Sequence, residues 1–280
     1  PRAPSAFADF VSHPVDRQSA VLETVAFVEL DYVPPFLPLL IAVRLRYRSS
    51  PGPYRTLLAA CERFAFRVFM LTDRRVGFGH AVLSRVANRL AQGSITEEEA
   101  VRELRAKCEE GEKHPLLRTT VGLRERLQML GVLDTPVVRY FFGQYERTLA
   151  ADDLRSGLDA ANGAVIPAKG VVQVLPAIPA DPYWLERFTA EEATRYADRL
   201  GNLVLTSRVG GYGTGSFPVQ RGSRSIARPC FARGQLRQER ELALVDEWDQ
   251  AAIARREQRL LDWAERRWGW DRLPGRPRPF

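Results

Sequence analysis

Apolar residues recur along the first half of the chain at three- and four-residue intervals, the period of helices that bury one face. Val21, Val25 and Val28 mark a first helical pattern, which Pro34 and Pro35 end. Residues 36–43 are almost wholly apolar and predict a buried helix reaching Tyr47. Pro38 falls in its first turn, where a missing N–H removes no helical hydrogen bond. After a turn over 49–53, a long helix over 54–71 carries Leu57, Leu58, Cys61, Phe64, Ala65 and Val68 on one face. The pattern predicts further helices over 78–91, 116–130 and 136–149, and Ser94 with Glu97 predicts the capped start of a helix over 96–108.

The period changes near residue 171. Val171, Val172, Val174 and Leu175 form a short β-branched run that Pro176 stops, and Leu203, Val204 and Leu205 form a second apolar run. Between them, Thr189 and Glu192 predict a capping box that opens a helix to about Leu200, with Gly201 as its C-cap. Residues 150–169 are polar and read as a hinge. A last helical pattern runs over 235–268, with Trp248, Ile253, Arg256, Leu260 and Trp263 in one stripe, and the prolines after Leu273 predict a disordered tail. The expected fold is mainly α: a helical bundle, a small ββα finger, then a long C-terminal helix.

Composition narrows the chemistry. The net charge is +7, carried mostly by arginine, which favours a polyanionic partner. Cys61, Cys108 and Cys230 are odd in number and widely spaced, with no CxxC, which argues against a disulfide framework and a zinc knuckle. His80, without another His or Cys at ligand spacing, is no metal site. No run of about 18 apolar residues exists, so no membrane-spanning helix is expected. The expected location is cytoplasmic. The abrupt start, without an initiator Met, reads as a fragment of a longer protein.

The stretch 171–207 resembles the ββα-metal (HNH, or His-Me finger) core found in the C-terminal region of GmrSD/SspE-like modification-dependent, type IV restriction proteins. That family's pattern is an acidic-His-Ile-x-Pro run, then R-L-G-N-L-x-L-x-S, then an Asn nine residues after the first. Arg199-Leu200-Gly201-Asn202-Leu203-Val204-Leu205-Thr206-Ser207 matches the second part, and Val174, Leu175 and Pro176 keep the frame of the first. The run 62–69 and the helix containing Tyr140 and Glu146 also look like the family's helical linker. The resemblance implies an HNH-type DNA endonuclease ancestry, double-stranded DNA (phage or modified) as partner, and an N-terminal ParB-like, nucleotide-dependent domain in the same protein.

The chemical positions depart from the pattern. Val172 stands at the acidic metal ligand, Gln173 at the general-base His, and Gly211 at the second Asn. Only Asn202 remains, and the resemblance implies that it ties the backbone of the finger together. A histidine near its ordinary pKa of about 6.5 can take a proton from water, whereas a carboxamide cannot. Hard cations such as Mg²⁺ need oxygen ligands, which Val172 and Gly211 lack. The expectation is a degenerate nuclease with no cofactor of its own.

Two alternatives stand beside it. An active nickase would bind Mg²⁺ or Mn²⁺ through relocated ligands such as Asp181, Glu186 and His114. An interaction domain would form homo-oligomers or regulate an N-terminal NTPase. The expected division is a helical linker over 1–150, the finger over 151–268 and a tail over 269–280. Arg221, Arg224, Arg228 and Arg233, with Arg237 beyond them, are the expected DNA contacts. Arg74 and Arg75 are a further basic patch, and the Trp248–Trp263 stripe is either core or a stacking surface. The glycines at 210, 211, 213 and 215 make a flexible loop or a phosphate-cradling nest, without the Lys that a Walker loop requires.

Overall fold

The computed structural model describes residues 34–47, 50–72, 77–113, 122–130, 135–155, 168–222 and 228–270. The helical pattern around Val25, the Arg74-Arg75 pair, His114, Arg224 and the tail after Leu273 lie outside these residues. The described chain is mainly helical and holds one two-stranded sheet. None of its helices is long and apolar enough to cross a membrane. It divides into two compact units, Pro1–Leu123 with Glu265–Phe280, and Arg124–Ala264.

In the first unit, a single 3-10 turn (Pro34–Phe36) leads into α1 (Leu37–Arg46), followed by α2 (Pro51–Phe64), α3 (His80–Ala91) and α4 (Glu97–Gly111). Helix α1 packs on α3 and α2 on α4. Phe36, Phe64 and Phe69 meet at 5.5–6.0 Å, mostly edge to face, as ring quadrupoles prefer. The long helix expected over 54–71 is α-helical only to Phe64 and continues as a π-helix over Ala65–Met70. Within that widened segment, Arg67 reaches Glu112 at 2.6 and 2.9 Å, and Phe66 stacks on Trp268 at 4.0 Å. Buried Glu62 accepts hydrogen bonds from Arg267 and the Trp268 indole. Burial pushes the Cys108 thiol up to about 12 and also raises that of Cys61, so both behave as small apolar residues.

The cap of α4 is displaced from the expected one. Thr96, not Ser94, accepts from the backbone N–H three residues on, and Glu99 returns the bond to Thr96 N at 2.7 Å. The two candidate boxes overlap in sequence, and Thr96 is the residue with the extended backbone an N-cap adopts.

The second unit contains most of α5 (Leu123–Gln128), then α6 (Pro136–Arg155), β1 (Gly170–Gln173), α7 (Pro182–Leu185), α8 (Ala190–Ala197), β2 (Leu203–Thr206), α9 (Phe217–Arg221), α10 (Arg237–Leu242) and α11 (Gln250–Trp268) up to Ala264. Strands β1 and β2 are antiparallel, pairing Gly170 with Thr206, Val171 with Leu205, Val172 with Val204 and Gln173 with Leu203. Their apolar side chains join Trp184, Phe188, Phe217, Phe231 and Trp248 in one core. The capping box at Thr189 and Glu192 forms as expected.

Two expectations change here. The pattern over 235–268 is not one helix: α10 ends at Leu242, and Asp249 starts α11 by accepting from Ala252 N at 2.7 Å. Gly201 is not a C-cap, because α8 stops at Ala197 and a 3-10 turn spans Leu200–Asn202. Its lack of a side chain serves packing instead, since a Cβ there would lie 2.2 Å from the Ile253 carbonyl oxygen.

Candidate functional site

Asn202 is fully buried at the entry to β2. Its Nδ2 donates to the carbonyls of Leu175 (2.9 Å) and Ala197 (2.8 Å). Its Oδ1 accepts from Leu175 N (2.9 Å) and from the Trp248 indole (3.0 Å). Both donors and both lone pairs of the amide are therefore used. The side chain joins the exit of β1, the end of α8 and the start of α11. Next to it, Arg256 is buried and donates to the carbonyls of Gly201 and Leu203, and burial pulls its pKa down to about 10.

The positions implied for catalysis are arranged differently. Val172 and Gly211 touch: a Cβ on Gly211 would lie 3.1 and 3.2 Å from the two Val172 methyls. Gly211 has φ +67°, a left-handed conformation that glycine and, next best, asparagine adopt. Gln173 donates from Nε2 to Asp198 Oδ1 at 2.7 Å. An isopropyl group and a hydrogen offer no oxygen to a divalent cation, and the carboxamide at the general-base position takes no proton from water. Of the relocated-ligand candidates, Asp181 caps α7 through Tyr183 N and also accepts from Ser216 N, both at 3.0 Å. Glu186 is exposed beside Arg187. No group of three or more His, Cys, Asp or Glu side chains converges as a metal site among the described residues.

A second buried hub lies at Glu239, on α10. Its carboxylate accepts from Thr206 Oγ1, Ser207 N and the Tyr212 hydroxyl, each at 2.9 Å. It also accepts from Ser207 Oγ (3.0 Å) and Leu236 N (2.9 Å). These bonds hold the glycine-rich loop against the segment 229–236. Burial and the adjacent Glu239 charge raise the Tyr212 phenol well above its ordinary value. Gly234 makes room for this carboxylate, because a Cβ there would lie 2.6 Å from its Oε2.

Between these segments opens a cleft of about 340 Å³. Ser207, Arg208 and Tyr212 line one side, and Cys230, Arg233 and Gln235 the other. The expected DNA contacts separate here. Arg233 is exposed at the cleft and Arg228 is exposed nearby in sequence. Arg221 is half-buried, bonding the Val245 and Asp246 carbonyls and the Asp246 carboxylate. Arg237 is held near Glu146, which also accepts from its backbone N–H at 2.7 Å. The Trp248–Trp263 stripe is core: Trp248, Ala252, Arg256 and Trp263 are all buried. Arg208 and Glu239 were not singled out by their sequence context. The available signal was the Thr206-Ser207-Arg208 run leaving β2 and a glutamate three residues after Leu236 in a capping position. No known protein family, curated protein or solved structure matches the chain.

Proposed function

We propose that this chain is a DNA-engaging module, derived from an HNH endonuclease but without its hydrolytic chemistry. It serves as the C-terminal part of a modification-sensing, anti-phage restriction protein whose N-terminal domain is nucleotide-dependent. The observation that carries this reading is the contact between Val172 and Gly211 beside an intact Asn202 network. The two positions that the resemblance assigns to metal ligands are neighbours in space, yet carry methyls and hydrogen. The general-base position holds an amide already engaged by Asp198. The net charge of +7 and the exposed Arg208, Arg228 and Arg233 supply attraction for phosphates.

The test is a gel shift beside a supercoiled-plasmid nicking assay with Mg²⁺ or Mn²⁺. The expected result is binding that weakens steeply with salt and no nicking. Nicking that EDTA abolishes would overturn the loss of chemistry, and no shift at low salt would overturn DNA engagement.

A further inference from the structure

The cleft beside Glu239 has an electrostatic character that none of its residues shows alone. Two exposed guanidiniums, Arg208 and Arg233, stand on its two walls, with the polar Ser207 and Gln235. The nearby carboxylate, Glu239, is fully buried, and its oxygens are turned onto Thr206, Ser207, Tyr212 and Leu236. Two cationic side chains therefore line the cleft, while the Glu239 carboxylate is engaged by the loop. The walls are fixed: Arg208 N donates to Thr206 Oγ1 at 3.1 Å, and the same hydroxyl donates to Glu239. Arg233 ends a 3-10 turn next to Gly234, the residue that accommodates Glu239.

The ligand class follows from what the cleft offers. Guanidiniums present paired N–H donors that match the oxygens of a phosphate. The aromatic residue of the lining, Tyr212, is committed to the fold, with its hydroxyl on Glu239 at 2.9 Å and its ring against Phe231 at 4.7 Å. We propose that this cleft binds a phosphate oxyanion of a nucleic-acid backbone, with Arg208 and Arg233 as the two clamping cations and Gln235 as a neutral donor. Glu239 is a positioning residue that holds the two walls at a fixed separation. The inference rests on the DNA-engaging reading for the source of the phosphate. The site itself can be tested apart from it.

The experiment uses the full chain, wild type and R208A/R233A, with R102A/R195A as a charge-matched control on exposed residues of α4 and α8. Fluorescence anisotropy with a labelled duplex follows DNA, and amide NMR shifts over 207–213 follow inorganic phosphate. Wild type should bind the duplex roughly tenfold or more tightly than R208A/R233A at low salt. The log–log salt slope of the double variant should be shallower by about two. The control should lose markedly less. Phosphate should shift the 207–213 amides in wild type and not in the double variant. If DNA binds and R208A/R233A loses no more than R102A/R195A, the cleft proposal fails and the DNA-engaging reading stands. If wild type binds no DNA, that reading fails. Phosphate shifts lost in R208A/R233A would then still support the cleft, and phosphate shifts absent from wild type would overturn it. Unchanged circular dichroism checks that the double variant is folded.

Discussion

Asn202 and Gly211 are nine residues apart on either side of β2, and the chain treats them in opposite ways. Around Asn202 every polar atom is matched, across three elements, in a site closed to water. Around Gly211 the contact is with two methyls, and nothing there calls for a particular polar group. A buried amide with four partners cannot be exchanged without leaving several groups unsatisfied, whereas a half-buried glycine–valine contact tolerates drift. The difference shows that two positions within one short segment can carry very different shares of the architecture.

The sharpest way to break this comparison is at the architectural end. Asn202→Ala strands the Leu175 N–H and carbonyl, the Ala197 carbonyl and the Trp248 indole, and should cost about 3–5 kcal/mol. Gly201→Ala should be comparably severe, because its Cβ would strike the Ile253 carbonyl rather than a flexible side chain. Urea midpoints of the two variants check both. Glu239→Ala should follow at about 2–3 kcal/mol, and should also raise amide exchange over 207–213 as the loop loses its anchor.

A pH series probes the same unit. Burial, followed by the Glu241 charge, raises the Tyr145 phenol to about 12, and Tyr145 donates to Glu241 at 3.1 Å. Its unfolded value is about 10, so the neutral form favours the folded state. The stability it contributes is fully present below pH 10 and is lost as pH rises to about 12. Denaturation free energy should fall by about 1.4 kcal/mol per pH unit in that window from this group, and Tyr145→Phe should flatten the slope.

The smallest effect is expected at the Gly211 end. Val172→Ala should cost about 1 kcal/mol or less, since the side chain is only half-buried. Gly211→Asn suits the backbone at φ +67° but presses on Val172. Val172→Ala should relieve that pressure, so a double-mutant cycle should show a favourable coupling of about 0.5–1 kcal/mol. Additive behaviour would mean that the two positions do not share this space.

What the sequence disclosed follows the same division. Features written in local spacing were legible: the Thr189–Glu192 box, the Pro-containing start of α1, and both apolar runs that became β1 and β2. Asn202 itself stood out in the Arg199–Ser207 run. What it bonds to was not legible, since Trp248 lies 46 residues later. The break between α10 and α11 was hidden because Val245 and Trp248 continue the apolar stripe through the connecting loop. Arginine was the least readable residue: Arg221 holds a loop, Arg256 supports the turn at Gly201, and Arg208 and Arg233 stand at a cleft. A guanidinium's partners are set by tertiary placement, which a list of charges does not contain.

The 46-residue reach from Asn202 to Trp248 also has a consequence for biosynthesis. The hairpin strands leave the ribosome well before the indole that completes the Asn202 network and before the carboxylate that anchors the following loop. At ~5–20 residues per second, translation takes roughly 2–9 s to cover that distance. During that interval the two strands have a core without Trp248. The segment around β1 and β2 is thus a late-maturing part of the polypeptide, incomplete until Trp248 emerges, and its folding should depend on translation speed and chaperone supply more than that of the helices made before it.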